Sequence, residues 1–263
     1  MNDLALAWDD AASGYDDYFV PRFAPWNEVT IAALAARAAE LPPGPILVPC
    51  CGPGQELEPL ARLGHPLFAI DLSAGMVERA RARALAAALP QVTVEVGDAT
   101  VLAARFPGTA AGVLSCFGLQ QLPAPDAGLR DWASTLAPGG VLAVTFWPRG
   151  GDDDGPSVLM RRLLGRHLSQ PDASWQDRLV PALREAGADL LEDRRVEFVM
   201  VHESAEVLWE AITRWGPTRL VARRHGEAFL EALKPDYLAA MGPGPVEQRA
   251  SARFLLARRP VGR

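Results

Sequence analysis

Lysine is nearly absent from this chain. Lys234 is the only one, and the rest of the positive charge is arginine. A Schiff-base mechanism would therefore have a single candidate amine, in a helical surface setting, and it is set aside. Cysteine is also sparse: Cys50, Cys51 and Cys116 form an odd set with two members adjacent. That excludes a disulfide framework and points to a reducing compartment. No Cys/His cluster surrounds them, so no metal is expected. No apolar run approaches the ~20 residues needed to cross a bilayer, and the first ten residues carry aspartates where a signal peptide would carry basic residues. The expectation is a cytoplasmic protein without a membrane partner. Basic excess is missing as well: 26 Lys and Arg against 32 Asp and Glu give a net charge of -6 and a pI near 5.3, which argues against broad nucleic-acid binding.

What is present fits one large core: 263 residues, 49% hydrophobic and 22% charged, read as a single domain. Residues 8–25 carry Trp8, Tyr15, Tyr18, Phe19 and Phe23 among Asp and Gly. This is too aromatic for a solvated tail, and residues 1–25 are expected to fold over something as a lid. From Trp26 to Leu41 an alanine-rich pattern predicts a helix ended by Pro42-Pro43-Gly44. A core over 26–150 then alternates strands and helices. Strands are predicted from Ile46, over Pro66–Asp71, at Val92, Val94 and Val96, over Ala111–Phe117 and over Val141–Trp147, the last entered by a Pro138-Gly139-Gly140 turn. Between them fall helices over Leu57–Leu63, from a Ser73 cap to about Leu89, and over Asp126–Leu136. Such alternation implies parallel βαβ units, with ligands bound at the carboxyl ends of the strands.

After Trp147 the pattern changes. Asp152, Asp153 and Asp154 read as a solvated loop, and helices are predicted near Ser157–Leu168 and Trp175–Ala186, within 151–192. Arg195–Val201 is predicted as a strand and Ala252–Ala257 as the last one. Helices over Ala205–Trp215 and Thr218–Leu233 lie within an insertion, 204–248, that would cap the sheet.

The stretch Ile46 to Glu56 joins an apolar run to a glycine turn and a helix-like segment. Alone, it is as consistent with a plain strand-turn-helix as with a nucleotide-type site. Its neighbours decide. Gly52-Pro53-Gly54 follows strand one, Asp71 ends strand two about 20 residues on, and Gly97-Asp98 follows strand three, all on one sheet edge. A carboxylate at the tip of strand two can accept both ribose hydroxyls, and one after strand three can accept from an adenine amine.

These residues resemble the class I S-adenosylmethionine-dependent methyltransferases, especially the small-molecule branch that includes the ubiquinone and menaquinone biosynthesis enzymes. The resemblance covers nearly the whole chain. The family's strand-one motif, Val-Leu-Asp-Leu-Gly-Cys-Gly-Pro-Gly, maps onto Ile46 through Gly54, and Asp71-Leu72-Ser73 with Met76 looks like its second motif. Val96-Gly97-Asp98-Ala99 looks like the adenine-binding one, the stretch Val113 to Leu122 is similar to the fourth, and Leu136-Ala137-Pro138-Gly139-Gly140 to the fifth. Two positions depart from the pattern. Val48 stands where the family usually has an acidic residue near the methionine amino group, and Cys50 replaces the first glycine. A related Val-Pro-x-Cys-Gly arrangement looks like that of the thiopurine methyltransferase branch.

The resemblance implies an α/β, Rossmann-like, doubly wound fold with a seven-stranded, mostly parallel sheet, an antiparallel last strand and a helical cap. It implies S-adenosyl-L-methionine as cofactor, S-adenosyl-L-homocysteine as product, and in-line methyl transfer to a small, hydrophobic or aromatic acceptor, in a monomer or homodimer. Cofactor contacts are expected from Tyr18, Cys50, Cys51, Gly52, Gly54, Asp71, Leu72, Met76, Asp98, Ala99, Cys116 and Phe117. No catalytic residue is assigned. Candidates for the acceptor pocket are Gln121, Trp147, His167 and Tyr15, each with a plain alternative. Gln120 and Gln121 would equally satisfy loop backbone, Trp147 would equally serve the core, and His167 would more simply favour a helix C-terminus. Tyr18 is read as a cation–π face for the sulfonium. His202 and Glu203 fall on a plausible rim or serve as a strand-to-helix cap, while His65 and His225 read as surface residues. Two other classes remain open here: a non-catalytic S-adenosylmethionine-binding homologue and a nicotinamide-dependent oxidoreductase, which would also use a glycine turn and Asp71.

Overall fold

The structure is a computed structural model that describes residues 3–148, 155–167 and 173–262. In chain order its elements are α1 (Asp3–Gly14), a π-helical turn (Tyr15–Phe19), α2 (Val20–Ala35), β1 (Ile46–Pro49), α3 (Leu57–Ala61), β2 (Leu67–Asp71), α4 (Ala74–Ala86), β3 (Val92–Val96), β4 (Ala110–Cys116), α5 (Pro125–Ser134) and β5 (Leu136–Phe146). They continue with α6 (Pro156–Leu164), α7 (Trp175–Glu185), β6 (Asp189–His202), α8 (Ala205–Thr213), α9 (Gly216–His225), α10 (Glu227–Glu231), α11 (Lys234–Met241) and β7 (Val246–Arg258).

The seven strands form one sheet in the order β3-β2-β1-β4-β5-β7-β6. β1 to β5 pair in parallel, with Val48 beside Ala69 and Leu47 beside Val113, and β7 runs antiparallel to β5. The α/β, doubly wound sheet with its antiparallel last strand is therefore present. Every residue of the central strands β1 and β4 is buried, which is why they read as unbroken apolar runs. The order reverses between β1 and β4, which is the switch point at which doubly wound sheets bind ligands outside the strands' carboxyl ends.

By packing, the described residues fall into two compact units. One draws on Ala24–Pro148, Ala173–Val196 and Ala252–Arg263, the other on Met1–Phe23, Arg149–Asp172 and Glu197–Ser251. In the first, Leu47, Val113, Leu142, Val144 and Phe146 meet Leu129 and Trp132 of α5 and Leu179 of α7 in a continuous buried cluster. The Trp26 indole of α2 donates to the Val196 carbonyl at 2.8 Å, and Thr30 bonds Thr145 of β5 at 2.6 Å. In the second, α1 packs on α9, and Trp8, Tyr15, Phe19, Phe23 and Trp215 make an aromatic chain.

Several element boundaries differ from expectation. The aromatic N-terminal segment is helical, with Ala5, Ala7, Ala11 and Ala12 buried along α1, and α2 begins at Val20 and runs through Pro25 rather than starting after it. The Pro138–Gly140 turn lies inside β5: Gly139 takes φ +86°, and the pairing register with β4 shifts between Ala110 and Gly112. The helix predicted over Thr218–Leu233 is two, α9 and α10, because Gly226 takes φ +88° between them. The acidic run Asp152–Asp154 lies outside the described residues.

Candidate active site

β1 ends at Pro49, and the chain turns through Cys50, Gly52 and Gly54 at φ +54°, +51° and +80°. The turn is tied to β2 twice: the Cys51 N–H donates to Ile70 O at 3.1 Å and the Gly52 N–H to Asp71 Oδ2 at 2.9 Å. The other Asp71 oxygen accepts from the Ser73 N–H at 3.0 Å. Two backbone donors thus fix the carboxylate at the tip of β2. The two glycines do different things. A Cβ on Gly52 would meet nothing within 4 Å, whereas one on Gly54 would come within 2.8 Å of the Ala80 Cβ on α4. Gly52 presents bare backbone to open space, and Gly54 allows α4 to pack.

Asp98 is exposed and caps the turn after β3, its Oδ1 accepting from the Thr100 N–H at 2.8 Å and the Thr100 hydroxyl at 2.7 Å. Its other oxygen makes no hydrogen bond among the described residues. Cys50 lies within the field of both carboxylates: burial first, then Asp71 and Asp98, push its thiol well above the usual range. Cys51 is raised in the same way by burial and by Asp71 and Glu56. Neither is a thiolate nucleophile at neutral pH.

Leu72 is exposed, while Met76 and Ala99 are buried. The Met76 N–H is held by the Ser73 hydroxyl at 3.1 Å, making the expected cap of α4, and the Ala99 carbonyl accepts from the Trp132 indole at 2.7 Å. After β4, Phe117 takes φ +61°, and its ring stacks on Trp147 at 4.5 Å, with Trp26 edge-on to both. Gln120 donates to the Phe117 carbonyl at 2.6 Å, as its plain alternative held. Gln121 closes the following turn through its backbone, the N–H donating to Gly118 O at 2.9 Å.

Glu56 was not singled out from the sequence. It is 2% exposed and its Oε1 accepts from Gln55 at 2.6 Å. Burial pushes its carboxyl up to about 8, opposed by its own backbone N–H, Arg83, Gln55 and the Cys116 thiol. Glutamate before an amphipathic helix ordinarily reads as a helix-dipole residue, so nothing in the pattern marked it.

The remaining candidates, His65 apart, belong to the other unit. The Tyr18 hydroxyl bonds His202 Nδ1 at 2.7 Å, and the Arg22 guanidinium lies 3.7 Å over the Tyr18 ring. His202 is fully buried, and its other nitrogen faces Gln248 Oε1 at 3.4 Å. Burial first, then Arg22, lower its pKa to about 4 against the Gln248 hydrogen bond. Tyr15 is buried among Trp8, Phe19 and Phe23. His167 pairs with His225 at 3.2 Å and packs on Phe229. His65 bonds the Gly44 carbonyl at 2.9 Å. Lys234 pairs with Glu210 at 2.9 Å, which raises the amine.

A methyltransferase-domain family model matches residues 46–140, the span that holds the glycine turn, Asp71, Asp98 and the β4 turn. The ubiquinone biosynthesis O-methyltransferase of Xanthomonas euvesicatoria pv. vesicatoria is 32% identical over 169 residues, 62% of this chain and 70% of that protein. This chain belongs to the class I S-adenosylmethionine-dependent methyltransferase family. The enzyme of the same name from Xanthomonas campestris pv. campestris is 33% identical over 156 residues, 59% of this chain and 64% of that protein, so the match spans just under two thirds of that relative's length. The crystal structure of BH2331 from Bacillus halodurans shares the fold, with a TM-score of 0.61 at 17% identity over 88% of this chain and 99% of that one.

The residues present fit the family's cofactor. The backbone at Gly52 is open where a Cβ would stand free and Asp71 is held at the strand tip; among the described residues Asp98 keeps an unengaged oxygen and the buried Glu56 Oε2 has no hydrogen-bond partner. All are acceptors or open backbone, suited to a ligand rich in hydroxyl and N–H donors. Among the described residues no group of three or more metal-ligating side chains occurs, and no helix is long and apolar enough to cross a membrane.

Proposed function

We propose that the chain is an S-adenosylmethionine-dependent methyltransferase that acts on a small hydrophobic or aromatic acceptor, with a phenolic oxygen as the atom methylated. The observation that carries it is the set of groups at the β1–β4 switch point: open backbone at Gly52, the Asp71 carboxylate fixed by two N–H donors, and Asp98 on the next strand. The relatives named for O-methylation support the choice of oxygen.

In this reading Asp71 accepts the ribose hydroxyls, Asp98 and Ala99 receive the adenine edge, and Cys50, Cys51, Gly52 and Gly54 shape the floor under the polar tail. Leu72 and Met76 border the nucleoside, and Cys116 and Phe117 border the sulfur. When bound, the cofactor supplies an electrophilic methyl group. The chain's own work is to align the acceptor at about 3 Å and exclude water. A phenol needs only one well-placed hydrogen-bonding group, and Gln121 and Trp147 are the candidates within the same unit as Asp71 to provide the acceptor's surroundings. The unpaired cysteines support a reducing, cytoplasmic setting, the net charge of -6 speaks against nucleic acid as substrate, and the assembly is taken as a monomer or homodimer.

Calorimetric titration with S-adenosylmethionine, S-adenosylhomocysteine and the nicotinamide dinucleotides tests this. Binding of the adenosyl ligands alone is expected, with Asp71→Ala weakening S-adenosylhomocysteine roughly tenfold or more through lost charge-assisted bonds. Binding of a nicotinamide dinucleotide alone would overturn the reading. Labelled methyl transfer to alkylated catechols then identifies the acceptor atom.

A further inference from the structure

Val48 leaves the family's usual acidic position aliphatic, so a cofactor ammonium group placed there would face a buried methyl surface. An ion moved out of water without a counter-ion is strongly disfavoured. Eight residues on, at the far side of the same turn, a carboxyl stands with the opposite problem. Glu56 is buried, and Oε2 has no hydrogen-bond partner among the described residues. Buried polar atoms are nearly always paired, and one left unpaired calls for a reason.

The location fits a ligand. The Glu56 carboxyl lies within reach of the Cys116 thiol at the end of β4 and within the field of Cys51 in the turn, so it borders the crevice where β1 and β4 diverge. Two further buried oxygens in the two turns flanking that crevice have no hydrogen-bond partner among the described residues, Gln55 Oε1 after β1 and Gln120 Oε1 after β4. With Glu56 ionised all three are acceptors only, and the cation whose field reaches it, Arg83, is engaged with the Pro53 carbonyl at 2.7 Å. A primary ammonium group, with three N–H donors and one positive charge, answers this deficit. A carboxylate or phosphate would deepen it.

We propose that Glu56 is the counter-ion for the α-ammonium group of the cofactor's methionine end, taking over the role that Val48 has vacated. This rests on the adenosyl-cofactor reading above. The groups facing Glu56 are Gln55 beside it, Cys51 in the turn, Arg83 from α4 and Cys116 from β4. The carboxyl, held up at about 8 by burial, is protonated in the ligand-free protein near pH 7, and pairing with an ammonium requires it to ionise. Binding at pH 7 therefore releases a proton to buffer, and affinity rises as pH climbs from 6 towards 8.

The test uses calorimetry with three probes: S-adenosylhomocysteine, its deaminated analogue S-adenosyl-4-thiobutyrate, and 5′-methylthioadenosine, which lacks the amino-acid end. The unmodified protein is expected to prefer S-adenosylhomocysteine over the deaminated probe by roughly tenfold or more, as for one charge-assisted bond, and to show a binding enthalpy that changes with buffer ionisation enthalpy. Glu56→Gln should erase both the preference and the proton release while binding 5′-methylthioadenosine as before, which also shows that the variant is folded. If the variant keeps the tenfold preference, or the unmodified protein binds S-adenosylhomocysteine without releasing a proton, Glu56 is not the counter-ion and the cofactor reading stands. If the unmodified protein binds none of the three probes, the cofactor reading itself falls, and this inference with it.

Discussion

Two buried titratable residues pull the protein's stability in opposite directions with pH. His202 has a pKa lowered to about 4 by burial and by Arg22, below the ~6.5 of the unfolded chain. Between these values the unfolded state binds more protons, so stability rises with pH; the contribution is complete above about 6.5 and lost as pH falls towards 4. Glu56 is the reverse. Its carboxyl, raised to about 8 from an unfolded value of ~4.3, binds a proton more tightly in the folded state. Its contribution is complete below about 4.3 and is lost as pH rises through 8. Denaturant unfolding at a series of pH values should show Glu56→Gln gaining on the unmodified protein by a few kcal/mol, as an order of magnitude, between pH 5 and 8.5. His202→Gln should flatten the decline between pH 6.5 and 4. Parallel curves for variant and parent would show that the carboxyl or imidazole is not buried as described. Neither residue was legible beforehand as buried and titrating. Glu56 sits before a helix, where acids are common, and His202 ends a strand beside Glu203, where a capping role explained it. Burial of both depends on partners far along the chain, such as Tyr18, 184 positions from His202.

Between elements, the turns after β1 and β4 are fitted to each other. Cys50 occupies the left-handed region at φ +54°, where a non-glycine residue is disfavoured by about 1–2 kcal/mol, at the position where the family carries glycine. The complement lies on Gly118, whose φ is -89° and so needs no glycine for conformation. A Cβ there would overlap the Cys50 Cβ and lie 3.0 Å from Ser115 Oγ. The side chain after β1 fills the space that the missing one after β4 leaves. Gly118→Ala alone should destabilise by about 1–3 kcal/mol through overpacking. Cys50→Gly alone should cost little, since relief of the left-handed strain offsets lost packing. The double variant should recover most of the loss, giving a coupling of about 1 kcal/mol or more in a double-mutant cycle. Additive effects would mean the turns are not in contact. The elements themselves were largely readable where burial is uniform. β1, β2, β4 and β5 are apolar runs bounded by turn residues, and Ser73 caps α4 as expected. What escaped are elements whose residues face two environments. β6 begins at Asp189, and the part before the predicted start at Arg195, with Glu192, Asp193 and Arg194, looks like loop, yet charge on an edge strand is what discourages further pairing. α1 escaped because Asp9, Asp10 and Gly14 suggested loop, while the alanines that bury it carry little hydrophobic signal.

For the whole molecule, chain order carried more information than composition. The succession of a glycine turn, Asp71 and Asp98 on successive parallel strands was sufficient to place the three at one sheet edge, because a parallel sheet brings successive strand ends together. The division into two compact units was hidden, since each is assembled from three separated segments and packing across such distances leaves no local pattern. The proposed site draws its acceptors from three separate stretches of chain, the β1 turn, the tip of β2 and the turn after β3, all folded into one of these units. A ligand that bridges them binds only the folded state, so it must stabilise that state by mass action. At a hundredfold excess over its dissociation constant, S-adenosylhomocysteine should add about 2.7 kcal/mol, which for a chain of this size raises the midpoint of thermal unfolding by roughly 5–10 °C. Asp71→Ala, if it weakens binding tenfold, should lose about 1.4 kcal/mol of that gain at the same ligand concentration. Nicotinamide dinucleotides should produce no shift. Calorimetric scans of protein and variant with each ligand measure all three quantities. An equal shift in the Asp71→Ala variant would move the ribose site away from β2, because only a ligand that leaves that carboxylate untouched could stabilise both proteins alike.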